Sequence, residues 1–233
     1  MSNSKPQRNL VQAIILAAGS SQRMQGTDKV FSLLLGKPVL AHSIQTFLSC
    51  EEIDRLVVVL HPERIDLGID MVKKYGWELR VRIVAGAERR QDSVCNGLNA
   101  LDDSSIVLIH DGARPCIETS LIREAIQVAQ EIGAATAAVP VSNTIKKTDA
   151  GGLVTETLDR SQLWSIQTPQ AFRTDLLLAA HSTIKQDVTD DAAMVELMGT
   201  KVKVFMGAHS NIKITHPADL LVAREFLKGR KLP

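Results

Sequence analysis

The chain has 233 residues, 45% of them hydrophobic and 23% charged, and its 27 Lys and Arg nearly cancel 26 Asp and Glu to leave a formal net charge of +1. That length suits one α/β unit with an appendage, against a prior of about 150 residues per domain. Charges so evenly matched and scattered exclude a bulk polyanion as partner, so no nucleic acid is expected and any bound anion is small. The first apolar run, AIILAAG, is strand-like and leads into PVLAHSIQTFLS, which reads as a helix. The same alternation repeats with RLVVVL then PERIDLGIDMVKKYG, RIVAG then SVCNGLNAL, and SIVLIHD then SLIREAIQVAQEIG. Repeated strand–helix order means βαβ units, and the nearly continuous Val, Ile and Leu of the strands is the signature of a parallel sheet covered by helices on both faces.

After GAATAAVPV the pattern changes. The segment SNTIKKTDAGGLVTETLDRSQLWSIQTPQAF has period-two character at Thr144, Lys146 and Thr148 and a turn at Asp149–Gly152, which predicts a β-hairpin inserted into the α/β scheme. A hairpin alone is marginally stable, so this one needs something to pack against. Helix–strand order then returns with TDLLLAAHSTI, TDDAAMVELMG, KVKVFMG, a short NIKITH and PADLLVAREFLKG. The polar opening MSNSKPQRN and the lack of an apolar run near the roughly 20 residues that span a bilayer predict neither secretion nor a membrane span. Cys50, Cys95 and Cys116 have no CxxC spacing and are odd in number, so reduced thiols in a cytoplasmic protein are expected.

In such sheets ligands bind beyond the carboxyl ends of the strands. The first strand ends in Ala17-Ala18-Gly19, followed by Ser20 and Ser21, whose backbone N–H groups can approach an anion closely; Arg23 and Lys29 then add two cations. A P-loop would need GK[ST] and a dinucleotide fingerprint more glycines, so the loop reads as a phosphate cradle of another kind or as a tight turn with exposed cations. AGAERRQDSV brings Arg89, Arg90, Asp92 and Ser93 to another strand end; the plainer reading is a helix capped by Asp92 or Ser93. HDGARP sets His110, Asp111 and Arg114 after a third strand, where Asp111 near phosphates would hold Mg²⁺ or a sugar hydroxyl. No GxSxG elbow accompanies His110, which argues against nucleophilic catalysis, and no HExxH spacing suggests a transition metal. Thr189-Asp190-Asp191 reads as a helix start capped by Thr189, and Lys213 as the polar face of a short strand.

Taken together, AIILAAGSSQRM with Lys29, GAERRQDSV, HDGARP, VSNTIKK, LDRSQLWSIQTPQAF, TDDAAMVE and NIKIT resemble the ordered motifs of the 2-C-methyl-D-erythritol 4-phosphate cytidylyltransferase family over nearly the whole chain. The opening motif is shared with sugar nucleotidyltransferases in general, whereas the later motifs in this order are specific. The resemblance implies a Rossmann-like nucleotidyltransferase fold, an α/β protein with a mostly parallel twisted sheet. It also implies a β-arm at about residues 141–165 that reaches a second subunit of a homodimer. It implies that Ala17, Ala18 and Gly19 line CTP, that Arg23 and Lys29 hold its phosphates, and that Gly86, Arg90 and Ser93 touch base and ribose. Counting back from Ser93 selects Arg90 over Arg89. Asp111, with Gly112 beside it, would lie between ribose, Mg²⁺ and the second substrate. Lys213 would contact both phosphate groups, and Thr144, Arg160 and Thr189 would bind the polyol phosphate. A ribitol-5-phosphate cytidylyltransferase shares the framework and is the alternative; a non-catalytic nucleotide-binding domain is a third reading.

Overall fold

Val11–Ala17 (β1) is apolar apart from Gln12, and such a strand is stable only where both of its faces are covered. The computed structural model, which describes residues 10–19 and 28–229, covers both. A small antiparallel pair, Leu33–Leu34 (β2) with Lys37–Pro38 (β3), leads into Val39–Leu48 (α1). Arg55–Leu60 (β4), Ile65–Tyr75 (α2), Val81–Ala85 (β5), Arg90–Leu98 (α3), Ile106–Asp111 (β6), Thr119–Ile132 (α4) and Ala134–Pro140 (β7) follow in alternation. The ribbon Lys146–Thr148 (β8) and Val154–Thr157 (β9) comes next, then Trp164–Arg173 (β10), Thr174–Thr183 (α5), Asp191–Leu197 (α6), Lys203–Met206 (β11) and Pro217–Lys228 (α7).

One seven-stranded sheet runs in the order β11-β7-β10-β6-β1-β4-β5. Every neighbouring pair is parallel except those made by β10, which lies antiparallel between β6 and β7. Because side chains alternate across a strand, each central strand feeds two cores. Ala13 and Ile15 of β1, Leu56 and Val58 of β4, and Leu108 of β6 meet α1, α2 and α4 through Leu40, Ile44, Phe47, Met71 and Ile122. Ile14, Val57, Val59, Val107 and Ile109 point the other way, to Val94 of α3, Leu177 of α5 and Val195 of α6. Ala223 of α7 closes a smaller cluster with Leu34, Val39, Cys116 and Ile214. This is the mostly parallel α/β sheet with helices on both faces expected from the strand pattern. Among the described residues no helix is long and apolar enough to cross a membrane.

Three local expectations are corrected. The hairpin turns at Asp149–Gly152 as read, with Lys146 opposite Thr157, but it does not extend to Phe172. From Trp164 the chain enters the central sheet, because its apolar residues find partners there: Ala171 pairs with Leu108 on one side and Ala135 on the other. NIKITH is not a strand; residues 211–215 form a loop whose buried Asn211 and Ile214 turn inward on either side of Lys213. The caps also move by a residue or more: Asp190, not Thr189, caps α6 by accepting from Ala193 N–H at 3.0 Å, and α3 starts at Arg90 without a side-chain cap. There Asp92 instead pairs with Arg89, and Ser93 Oγ binds the backbone of Ala87.

Phe172 of β10 is fully buried among the α5 and α6 residues, so truncating it removes apolar burial and leaves a cavity. Phe172→Ala is expected to lower unfolding free energy by roughly 3–5 kcal/mol, measured by denaturant titration.

Candidate functional site

Parallel strands place their carboxyl ends on one edge, and a cleft of about 700 Å³ opens along that edge. β1 contributes Leu16 and Ala17, followed by Ala18 and Gly19; the turn after β4 contributes His61 and Pro62. Gly86, Ala87 and Glu88 follow β5, Arg90 and Ser93 come from α3, Asp111 and Ala113 from the end of β6, and Lys29, Val30 and Lys213 from loops. The resemblance singled out Ala17, Ala18, Gly19, Lys29, Gly86, Arg90, Ser93, Asp111 and Lys213, and all of these meet in this one cleft.

Lys29 is presented by a turn that Asp28 organises. Asp28 Oδ1 accepts from the Val30 and Phe31 N–H groups at 3.1 and 3.4 Å, and its Oδ2 accepts from Arg64 Nε at 2.9 Å. Lys29 Nζ stands 4.0 Å from where a Cβ on Gly19 would be. At Gly86 a Cβ would fall 2.4 Å from Ala18 Cβ, so only glycine lets the β5–α3 connection lie against the end of β1. Ser93 Oγ donates to Ala87 O at 3.2 Å and accepts from Ala87 N–H at 2.9 Å, which folds that connection onto α3. Arg90 lines the cleft with its guanidinium 2.7 Å from the buried Asp191, while Arg89 turns outward to Asp92 and Asp187.

Asp111 is the focus of charge. Lys213 Nζ lies 2.9 Å and Arg114 Nε 3.4 Å from its Oδ2. Burial would raise its pKa, but the fields of Lys213, Arg114 and Arg90 outweigh that and hold the carboxyl well below the usual range, so it is ionised. Arg114 also donates from Nη1 to Asn211 O at 2.8 Å, tying the Asp111 turn to the Lys213 loop. Asn211 Nδ2 donates to Thr168 O at 2.8 Å, and Thr168 Oγ1 accepts from Asp111 N–H at 3.0 Å. Thr168 Oγ1 also lies 3.0 Å from His110 Nδ1, and His110 Nε2 lies 3.4 Å from Arg114 O. The carbonyl requires Nε2 to carry the proton, which leaves Nδ1 to accept from Thr168: a neutral imidazole.

The other expected residues lie elsewhere. Gly112 sits behind the cleft wall, where a Cβ would come 2.8 Å from Leu40 Cδ1; its N–H donates to Leu16 O at 2.8 Å. Thr144 and Arg160 are exposed at the base of the ribbon, with Arg160 Nη1 donating to Ser142 O at 2.8 Å. Thr189 is exposed just before the cap of α6. Arg23 lies outside the described residues. Sequence reasoning assigned no site role to Asp28, Arg114, Asn211 or Asp191. Arg114 was legible as part of HDGARP, but Asp28 and Asp191 carry signals that any turn or helix start would carry.

A Rossmann-like sheet with a cationic cleft at its strand ends, floored by one ionised carboxylate, defines a nucleotidyltransferase. The model of the 2-C-methyl-D-erythritol 4-phosphate cytidylyltransferase family matches residues 11–229, and the chain belongs to that family. A relative of that name from Dehalococcoides mccartyi is 46% identical over 218 residues, covering 94% of this chain and 96% of its own. The crystal structure of 4-diphosphocytidyl-2C-methyl-D-erythritol synthase from Anaerococcus prevotii superposes with a TM-score of 0.83 at 34% identity, covering 94% of this chain and 99% of that one. The cytidylyltransferase from Thermus thermophilus gives 0.75 at 27% identity, covering 92% and 98%.

His110 provides a pH test. Complete burial, reinforced by the nearby Arg114 and Lys213 charges, pushes its pKa from 6.5 down to about 3 despite the opposing field of Asp111. A depressed folded pKa contributes stability that is full above 6.5 and is lost as pH falls toward 3, because only the unfolded chain takes the proton. Unfolding free energy is expected to fall by up to about 1.4 kcal/mol per pH unit between pH 6 and 5, above the carboxylate range, and the slope to flatten in His110→Gln. Denaturant titrations at three pH values check this.

Proposed function

We infer that the cleft transfers the cytidylyl group of CTP to 2-C-methyl-D-erythritol 4-phosphate, giving 4-diphosphocytidyl-2-C-methyl-D-erythritol and pyrophosphate, a step of non-mevalonate isoprenoid biosynthesis. The observation that carries this reading is ionised Asp111, held by Lys213 and Arg114 in one cleft with Lys29 and Arg90, in a chain of this family. An oxygen of the acceptor phosphate forms a bond to the α-phosphorus as the bond to the β-phosphate oxygen breaks, and pyrophosphate leaves with that electron pair. The attacking phosphate is already ionised, so the protein supplies position and positive charge, and a general base is unnecessary.

Lys29, with Arg23, is assigned to the triphosphate over Ala17, Ala18 and Gly19; Gly86, Arg90 and Ser93 are assigned to base and ribose. Lys213 is assigned to both phosphate groups, which its loop between buried Asn211 and Ile214 would hold rigidly against Asp111. A single ionised carboxylate at the floor fits Mg²⁺, which takes most of its ligands from phosphates and water when nucleotides bind. Asp111 would hold that ion, whose charge would offset that developing on the triphosphate oxygens.

The β8–β9 ribbon is exposed along its whole length, Leu153 by 72% and Val154 by 58%, and an isolated two-stranded ribbon is marginal. We assign it as the arm of a homodimer, appended to one nucleotidyltransferase unit, that carries Thr144 and Arg160 to the partner's site. Thr189 completes the polyol phosphate contacts, and the reduced cysteines Cys50, Cys95 and Cys116, none of them in a disulfide, suit the cytoplasm.

With CTP and Mg²⁺, kcat/KM is expected to favour methylerythritol 4-phosphate over ribitol 5-phosphate by at least roughly tenfold, since a methyl group in a pocket is worth about 1–3 kcal/mol. A reversed preference would replace the acceptor but keep the chemistry. For the shared site, Lys29→Ala and Arg160→Ala homodimers should each lose about a hundredfold or more of their turnover. Mixed after verified subunit exchange, they should recover one intact site per heterodimer. No recovery would place both residues on the same subunit's site.

A further inference from the structure

Arg90 lines the cleft from the N-terminal end of α3. It is the first residue of α3, whose start has no side-chain cap, and the neighbouring Arg89 is committed outward to Asp92 and Asp187. Its guanidinium is drawn toward three carboxylates, Asp191, Asp111 and Asp190. Only Asp191 is in contact, with Oδ2 2.7 Å from Arg90 Nη1. Asp191 is itself 1% exposed and does not line the cleft. We propose that Asp191 is the positioning residue for Arg90 and, through it, for the nucleotide; this rests on the nucleotide reading of the cleft.

The anchor is rigid for reasons visible around it. Asp191 opens α6, and that helix start is fastened to the central sheet by Gln170, which is fully buried on β10. Gln170 Nε2 donates to Asp190 Oδ2 at 2.6 Å and to Thr136 Oγ1 of β7 at 3.1 Å, while its Oε1 accepts from Ala192 N–H at 3.1 Å. Across from Arg90, His181 Nε2 of α5 stands 3.6 Å from Asp191 Oδ1 and closes the carboxylate off from solvent. A buried carboxylate on a helix start fastened to the sheet is a fixed point, and a planar guanidinium paired with it keeps a set direction.

The direction has a consequence. Without Asp191, the pull of Asp111 would draw the freed guanidinium toward the carboxylate that Lys213 already occupies. Arg90 would then be lost to the nucleotide, and Lys213 would face a competitor for Asp111. The same helix start carries Thr189, so one anchored segment sets both the nucleotide cation and the residue assigned to the acceptor.

The test is steady-state kinetics with each substrate varied, on Asp191→Asn, Arg90→Gln and the double variant, with thermal melts to establish folding. The expected result for Asp191→Asn is a rise in KM for CTP of about 10- to 100-fold, the range seen when a partner orienting a metal ligand is removed. KM for the polyol phosphate should change less than the CTP value. The double variant, in which no unpaired buried charge remains, should match Arg90→Gln alone, because Asp191 acts through Arg90. That comparison stands even if Asp191→Asn alone fails to fold. Additive losses in the double variant, an equal rise in both KM values, or an unchanged KM for CTP in folded Asp191→Asn would overturn the inference while leaving the cytidylyltransferase reading intact. A wild-type chain that binds no CTP by calorimetry would overturn both.

Discussion

A carboxylate buried at the end of a parallel strand is costly unless opposite charge meets it, and the site is organised around how that cost is offset at Asp111. Lys213 and Arg114 share Asp111 Oδ2, and Arg90 adds its field from α3. These residues come from three separate segments of chain, so the ion cluster can form only when β6, α3 and the 207–216 loop are all in place. Arg114 extends the constraint by binding Asn211 O, and Asn211 binds Thr168 O on β10. Charge and backbone hydrogen bonding therefore register the Lys213 loop against the strand end within one connected network. Lys213 itself remains partly open to solvent.

The antiparallel strand β10 has a double role in this arrangement. Its apolar residues complete the sheet between β6 and β7, while its polar ones, Gln167, Thr168 and Gln170, are buried and all hydrogen-bonded. Gln167 and Thr168 hold the loop bearing Lys213 and the turn bearing Asp111; Gln170 holds the start of α6. Buried polar groups must be satisfied, so these side chains are as constrained as the core around them. The same strand that leaves the exposed ribbon thus returns to brace both walls of the cleft.

Approach distances set the remaining shape. The β5–α3 connection can lie on β1 only because residue 86 has no Cβ, and this is what brings Ser93 and Arg90 to the same edge as Ala17 and Gly19. The Asp28–Arg64 pair fixes the turn that presents Lys29, joining it to the segment after β4. Asp28 thus organises the turn that presents Lys29, and Asp191 pairs with Arg90, and neither carboxylate lines the cleft.

By itself the sequence determined the alternation of strands and helices, the two-sided burial of the sheet and the strand ends at which chemistry would gather. Those features are local: continuous Val, Ile and Leu runs, helical periodicity, and Gly, Asp or Arg directly after a strand all leave a mark within about ten residues. The motifs also carried the family, with Lys29, Arg90, Asp111 and Lys213 among their residues. Tertiary structure alone decided that Trp164–Arg173 belongs to the central sheet and that the segment around Lys213 is a loop, because both depend on partners far along the chain. It decided too that Asp190 rather than Thr189 caps α6, and that Asp191 faces Arg90 across about 100 positions of sequence. A short acidic run before a helix looks the same whether it caps, solvates or anchors; only the fold brings a cation to it, and so only the fold distinguishes these roles.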